Sequence, residues 1–244
     1  MKRRTFLKNT SLIGAGLTLL PSYLFQSEQS LISYEELIGK GHPKLFGASY
    51  KLRKEVHEAF LKLSSAARNS NIHIQVVSSY RSYAHQNRIW ERKYKENINS
   101  GLNPTESIKK IIEYSTIPGT SRHHWGTDLD IIDGNAPQPA NVLHPRHFND
   151  SGCYSKLKKW MDKHANDYGF HLVYTNLTNR QGFKYEPWHY SYKPLSKAYL
   201  KAFQKRDLKH IITSEDLLGG DHFSDEFISN YLNQNILDIN PELL

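Results

Sequence analysis

The sequence predicts an α+β protein, a small antiparallel sheet flanked by helices. Three observations predict it. Apolar residues recur at three- and four-residue steps in several separated stretches, shorter segments between them alternate apolar with polar residues, and Gly, Pro and Asn mark the junctions. At 244 residues the chain is long enough for one domain with a hydrophobic core. Fifteen Tyr and four Trp argue against a chain disordered throughout, and a mean hydropathy of -0.64 with 23% charged residues describes a soluble one.

The first 26 residues read as an export signal rather than as fold. Lys2, Arg3, Arg4 and Lys8 precede a short apolar run from Leu12 to Phe25, and Gln26 to Ser30 are polar. The run is shorter than the roughly 20 apolar residues a membrane span needs, so no stable span is expected in the mature chain. Arg3-Arg4 followed by Phe6-Leu7-Lys8 resembles a twin-arginine signal, which places the protein in the periplasm or cell envelope. Half of the formal charge of +8 lies in this segment. The later Lys and Arg are scattered among acids, so no nucleic-acid stripe is expected.

Residues 27–50 read as an irregular lead-in. Val56, Ala59, Phe60, Leu63 and Ala66 form a helical stripe that Asn69-Ser70-Asn71 stops. Ile72, Ile74 and Val76 alternate as a strand leading into Ser78-Ser79-Tyr80-Arg81, and helices follow over 82–95 and 104–114, the second with Pro104 in its first turn. Thr127 to Ile132 is β-compatible and rich in acids, and 134–152 reads as a long surface loop. Leu157, Trp160, Met161, Ala165 and Tyr168 give a helix that Gly169 stops. Residues 170–174 and 182–190 are expected as paired strands, 195–203 as a closing helix, and 224–232 as a helix within a C-terminal extension, 208–244.

Two segments concentrate acids and histidines beside Gly, Pro and Trp: 118–130 and 185–190. A hydrolytic zinc site takes three ligands from His, Asp or Glu and leaves one position for water. These segments offer that set and a spare carboxylate. By chemistry alone the ligands stay open between His123 and His124, and between Asp128 and Asp130, since alternate residues of a strand share a face. Cys153 is the only cysteine, which excludes an intramolecular disulfide and a cysteine-based metal site. No Gly-x-Ser-x-Gly elbow points to a serine hydrolase.

Ser121-x-His123-x6-Asp130, Glu186-Pro187-Trp188-His189 and the upstream Tyr80-Arg81-Ser82 with Gln86 together resemble the VanY-like D-alanyl-D-alanine carboxypeptidases of the LAS zinc metallopeptidases, over roughly residues 50–195. The resemblance implies the hedgehog/DD-peptidase fold and a zinc peptidase domain over 51–207. It implies Zn2+ held by His123, Asp130 and His189, with Glu186 as the catalytic base and acid. Arg81 is implied to stabilise the oxyanion, and Arg81, Ser121 and Gln86 to meet the substrate, a peptidoglycan stem peptide. Asp128 departs from the pattern, standing where relatives commonly have a small apolar residue, and is expected behind a ligand rather than on the metal. Ser191 stands where many relatives place a basic residue. Two other functions fit the motif set less well: an endopeptidase cutting within the stem peptide, and a wall-binding module without catalysis. A decayed module usually loses the base or a ligand, and here all four positions are present.

Overall fold

The computed structural model describes residues 32–244; the expected export signal over 1–26 lies outside the described residues. The lead-in carries a short helix, α1 (Tyr34–Leu37), whose Leu37 is fully buried. Val56, Phe60, Leu63 and Ala67 then recur at helical spacing, and their stripe is the buried face of α2 (Lys54–Arg68). Asn71 ends this segment with φ 54°, a conformation Asn tolerates better than most residues. Strand β1 (Ile74–Ser78) follows. Ser82 then caps α3 (Tyr83–Asn99) by accepting from the His85 amide at 3.2 Å. Helix α4 (Pro104–Ile111) opens with a capping box between Asn103 and Glu106.

After a single 3-10 turn over Arg122–Trp125, the acid-rich segment forms strand β2 (Asp128–Asp133), and all six of its residues are buried. Helix α5 (Ser155–His164) runs through a further 3-10 turn to Gly169. That residue's φ of 80° lets the chain reverse into β3 (Phe170–Leu172). Strand β4 (His189–Tyr192) and helix α6 (Lys193–Phe203) complete the expected set. The sheet is antiparallel throughout, in the order β1-β2-β4-β3. Alternation along β2 and β4 sends Leu129, Ile131 and Tyr190 into an apolar cluster with α2 and α5, and turns Asp128, Asp130, His189 and Ser191 to the other face.

The expected strand over 182–190 is a strand only from His189. Pro187 has no amide hydrogen to donate to a ladder, so regular pairing does not extend back through it. Residues 173–188 form instead a long irregular segment, and the C-terminal region holds it. Beyond α6, helices α7 (Leu208–Thr213) and α8 (Asp225–Tyr231) pack Leu208, Ile211 and Tyr231 into the cluster containing Trp90, Tyr174 and Phe183, and Ile236 joins them from the turn after α8. The Asn240 amide donates to the Val173 carbonyl at 2.9 Å, and Arg180 Nη2 donates to the Asp238 carbonyl at 2.7 Å. From α8 the Tyr231 hydroxyl reaches the motif loop, accepting from the Ile117 amide at 3.0 Å and meeting Thr120 Oγ1 at 2.9 Å. Ile32–Leu244 thus form one compact unit. Among the described residues no helix is long and apolar enough to cross a membrane.

Candidate metal centre and active site

Antiparallel register places Asp130 opposite His189 and Asp128 opposite Ser191. The 3-10 turn before β2, capped by the Ser121 side chain, brings in His123. His123, Asp130 and His189 are all buried, with one ligand atom from each lying within 4.8 Å of the others. His123 Nδ1 sits 2.8 Å from the Ser79 carbonyl oxygen, which can only accept, so Nδ1 carries the hydrogen and the Nε2 lone pair points inward. That Nε2 is 3.4 Å from Asp130 Oδ2. Burial, and then the Arg81 charge, push the His123 imidazole down to about 4, so it is a neutral donor of a lone pair. Asp130 Oδ1 is buried with no hydrogen-bond partner in the protein. A buried carboxylate oxygen left unpaired among two imidazoles fits a cation.

His124 is placed differently. Its Nδ1 meets the Arg81 carbonyl at 2.7 Å and its Nε2 accepts from the Gly119 amide at 3.2 Å, so both ring nitrogens are taken by backbone. Gly39 (φ 78°) passes so close that a Cβ there would lie 2.3 Å from His124 Nδ1. The buried ring is pushed down to about 3 and stays neutral.

Asp128 lies behind His189. Its Oδ2 is 3.0 Å from His189 Nε2, leaving Nδ1 turned toward Glu186 Oε2 at 2.9 Å and Asp130 Oδ1 at 3.8 Å. Asp128 is fully buried, and three further donors surround it: Arg122 Nε at 2.8 Å, Thr127 Oγ1 at 2.6 Å and Ser191 Oγ at 2.8 Å. Burial acts against the carboxylate charge, yet Arg122 and the His189 hydrogen bond overcome it and hold the group well below the usual range. Burial likewise opposes the His189 charge, but the hydrogen bonds to Asp128 and Glu186 and the Asp130 charge raise it to about 9. Glu186 is pushed up by burial.

His123, Asp130, Glu186 and His189 face a cavity of about 660 Å³, which also reaches Arg81, Ser121, Trp188 and the 134–152 loop through Asn141, Leu143 and His144. Arg81 donates to Ser78 Oγ (2.9 Å), Gln86 Oε1 (3.2 Å) and Asp130 Oδ2 (3.0 Å). Gln86 is fully buried and off the cavity wall. Its amide nitrogen donates to the Thr116 carbonyl at 2.9 Å, so it stands behind Arg81 rather than against a substrate. Sequence reasoning passed over three site residues. Tyr174 packs edge-on against the His189 ring at 5.2 Å. Lys93 lines the cavity from α3. Arg122 donates to Asp128 Oδ2 at 2.8 Å and to Ser191 Oγ at 2.7 Å, so one guanidinium meets the two positions where the sequence differs from the pattern expected of the family. Those two positions were the available signal for it.

The family model for D-alanyl-D-alanine carboxypeptidase (VanY) matches residues 49–195. The chain is 32% identical over 137 residues to the bifunctional D-Ala-D-Ala dipeptidase and D-Ala-D-Ala carboxypeptidase VanXYC of Enterococcus gallinarum, covering 56% of this chain and 64% of that one. It therefore spans a little under two thirds of this relative's length. Two solved structures share its fold, each with a TM-score of 0.51. VanYB in complex with D-alanine-D-alanine is 21% identical and matches over 72% of this chain and 92% of that one. A variant of a vancomycin-resistance D,D-pentapeptidase VanY in complex with Zn(II) is 22% identical, over 70% and 90%. With the motif residues converging on one buried site and the family match spanning more than half of its length, the chain belongs to the D-alanyl-D-alanine carboxypeptidase (VanY) family.

Proposed function

We propose that this chain is a zinc-dependent D-alanyl-D-alanine carboxypeptidase that trims peptidoglycan stem peptides. One observation carries the reading: the buried His123–Asp130–His189 set, with an unpaired Asp130 oxygen, opens onto a cavity that Glu186 also lines. Zinc suits a site of two imidazoles and a carboxylate, and a VanY variant of the same fold was solved with Zn(II). His123 Nε2, the Asp130 carboxylate and His189 Nδ1 would hold the metal, and Asp128 would fix the His189 ring from behind. Bound zinc supplies Lewis acidity, polarising the scissile carbonyl and acidifying water.

The remaining steps belong to the protein. Glu186 takes the proton of the attacking water and delivers it to the leaving amine, the two halves of general base and acid catalysis. Arg81 and Ser121 line the same cavity and contact the substrate, Arg81 stabilising the developing oxyanion. Gln86 keeps the Arg81 guanidinium aimed. The 1–26 leader carries the protein out of the cytoplasm by the twin-arginine route.

Incubating the purified chain with defined stem peptides, with and without chelator, and identifying products by mass spectrometry tests the reading. Release of a terminal D-alanine that stops on chelation is expected. A cut inside the peptide would make the protein an endopeptidase, and no cleavage would leave a wall-binding role.

A further inference from the structure

One face of α3 lines the cavity. His85, Ile89, Arg92 and Lys93 fall at i, i+4, i+7 and i+8, so a single helix stripe supplies the wall. The three basic groups on it are not equivalent. Burial, then the charges of Arg81 and Arg88, lower the His85 pKa and favour the neutral ring. Arg92 is solvent-exposed and already paired with Glu96 at 3.1 Å. Lys93 is half-buried, and its ammonium donates to the Oγ of buried Ser115 at 2.6 Å. Among the described residues, no carboxylate lies within ion-pairing distance of it. Burial first and Arg92 second act against its charge, Glu186 favours it, and Arg81 opposes it again.

Glu186 and Glu96 favour this partly desolvated ammonium only from beyond pairing distance, so it gains from an anion that joins it directly. Arg81, another cation lining the cavity, is already bonded to Asp130, so its charge is balanced within the metal-ligand set. Beside these groups Tyr114, Phe183 and Trp188 offer apolar wall to the body of a peptide.

We infer that Lys93 receives a free carboxylate of the peptide substrate and is the residue that makes the cleft selective for acidic peptides. The inference rests on the peptidase reading and deepens it. The carboxylate has two possible sources, the peptide's C-terminus and an acidic side chain within it, and a lysine ammonium serves either as a point-charge donor.

The test uses the zinc-loaded full chain, wild type, Lys93→Met and Lys93→Arg, on matched peptides. One pair differs only in a C-terminal acid or amide, the other only in a side-chain carboxylate or its amide. The wild type is expected to favour the acid of one pair by about 10- to 100-fold in kcat/KM, the range of a charge-assisted hydrogen bond. Lys93→Met should bring the two members of that pair close to parity, mainly through KM, and Lys93→Arg should keep the preference. The pair that responds identifies the source. Undiminished preference in Lys93→Met, equal losses on all peptides, or no acid preference in the wild type overturns the inference alone. A wild-type protein that cleaves none of the peptides overturns the peptidase reading and this inference with it.

Discussion

Glu186→Gln is expected to lower turnover by about 10²- to 10⁴-fold, the usual worth of a positioned acid–base group, while zinc stays bound. The residue is only 5% exposed, and its Oε2 lies 2.9 Å from His189 Nδ1. The backbone on either side is pinned: the Glu186 amide donates to the Tyr174 carbonyl at 3.2 Å, and the His189 amide donates to the Glu186 carbonyl at 3.1 Å. Glutamine is isosteric, so it keeps the packing while removing the basicity. Turnover on a stem peptide, measured beside the metal content of the same sample, separates the two effects. Turnover retained within a few-fold would take the base role away from Glu186.

The second large effect is on stability. Arg122→Met should cost about 3–5 kcal/mol, the penalty for removing one partner of a buried ion pair. Arg122 and Asp128 are both almost completely buried, and the guanidinium stacks over the Trp125 ring at 4.8 Å. Methionine keeps much of that apolar contact but leaves Asp128 with no cationic arginine beside it. Urea denaturation should show the loss, and the double variant Arg122→Met/Asp128→Asn should recover part of it, because no buried charge is then stranded. A cost below about 1 kcal/mol would be that of a surface pair and would contradict a desolvated network.

The contrast between Arg122 and Glu186 shows what can be read from the chain alone. Helical stripes and alternation placed α2, α3, α5 and α6, since each buries a face whose spacing is visible locally. Family spacing selected His123, Asp130, Glu186 and His189, and these four lie together. Spacing does not reveal what a ring nitrogen bonds. His123 and His124 are neighbours in one 3-10 turn, and only the Ser79 carbonyl against one and the Arg81 carbonyl and Gly119 amide against the other distinguish them. Asp128 and Asp130 share a strand face, and only the cross-strand partner, Ser191 or His189, separates them. Gln86 matches a substrate-contact position by sequence, yet its amide serves Arg81. The tail beyond Asp207 showed one helix locally. Its grip on the 173–188 segment and on the motif loop runs through contacts such as Asn240 to Val173 and Tyr231 to Ile117, which no local pattern carries.

Zinc content tests the proposed site most directly. Elemental analysis after dialysis is expected to find stoichiometric zinc in the wild type, little in Asp130→Ala, and retained but more weakly held zinc in Asp128→Ala, because Asp128 orients His189 without touching the metal. Loss of zinc from Asp128→Ala with full retention in Asp130→Ala, or a wild-type chain that takes up none, would contradict a site built on His123, Asp130 and His189.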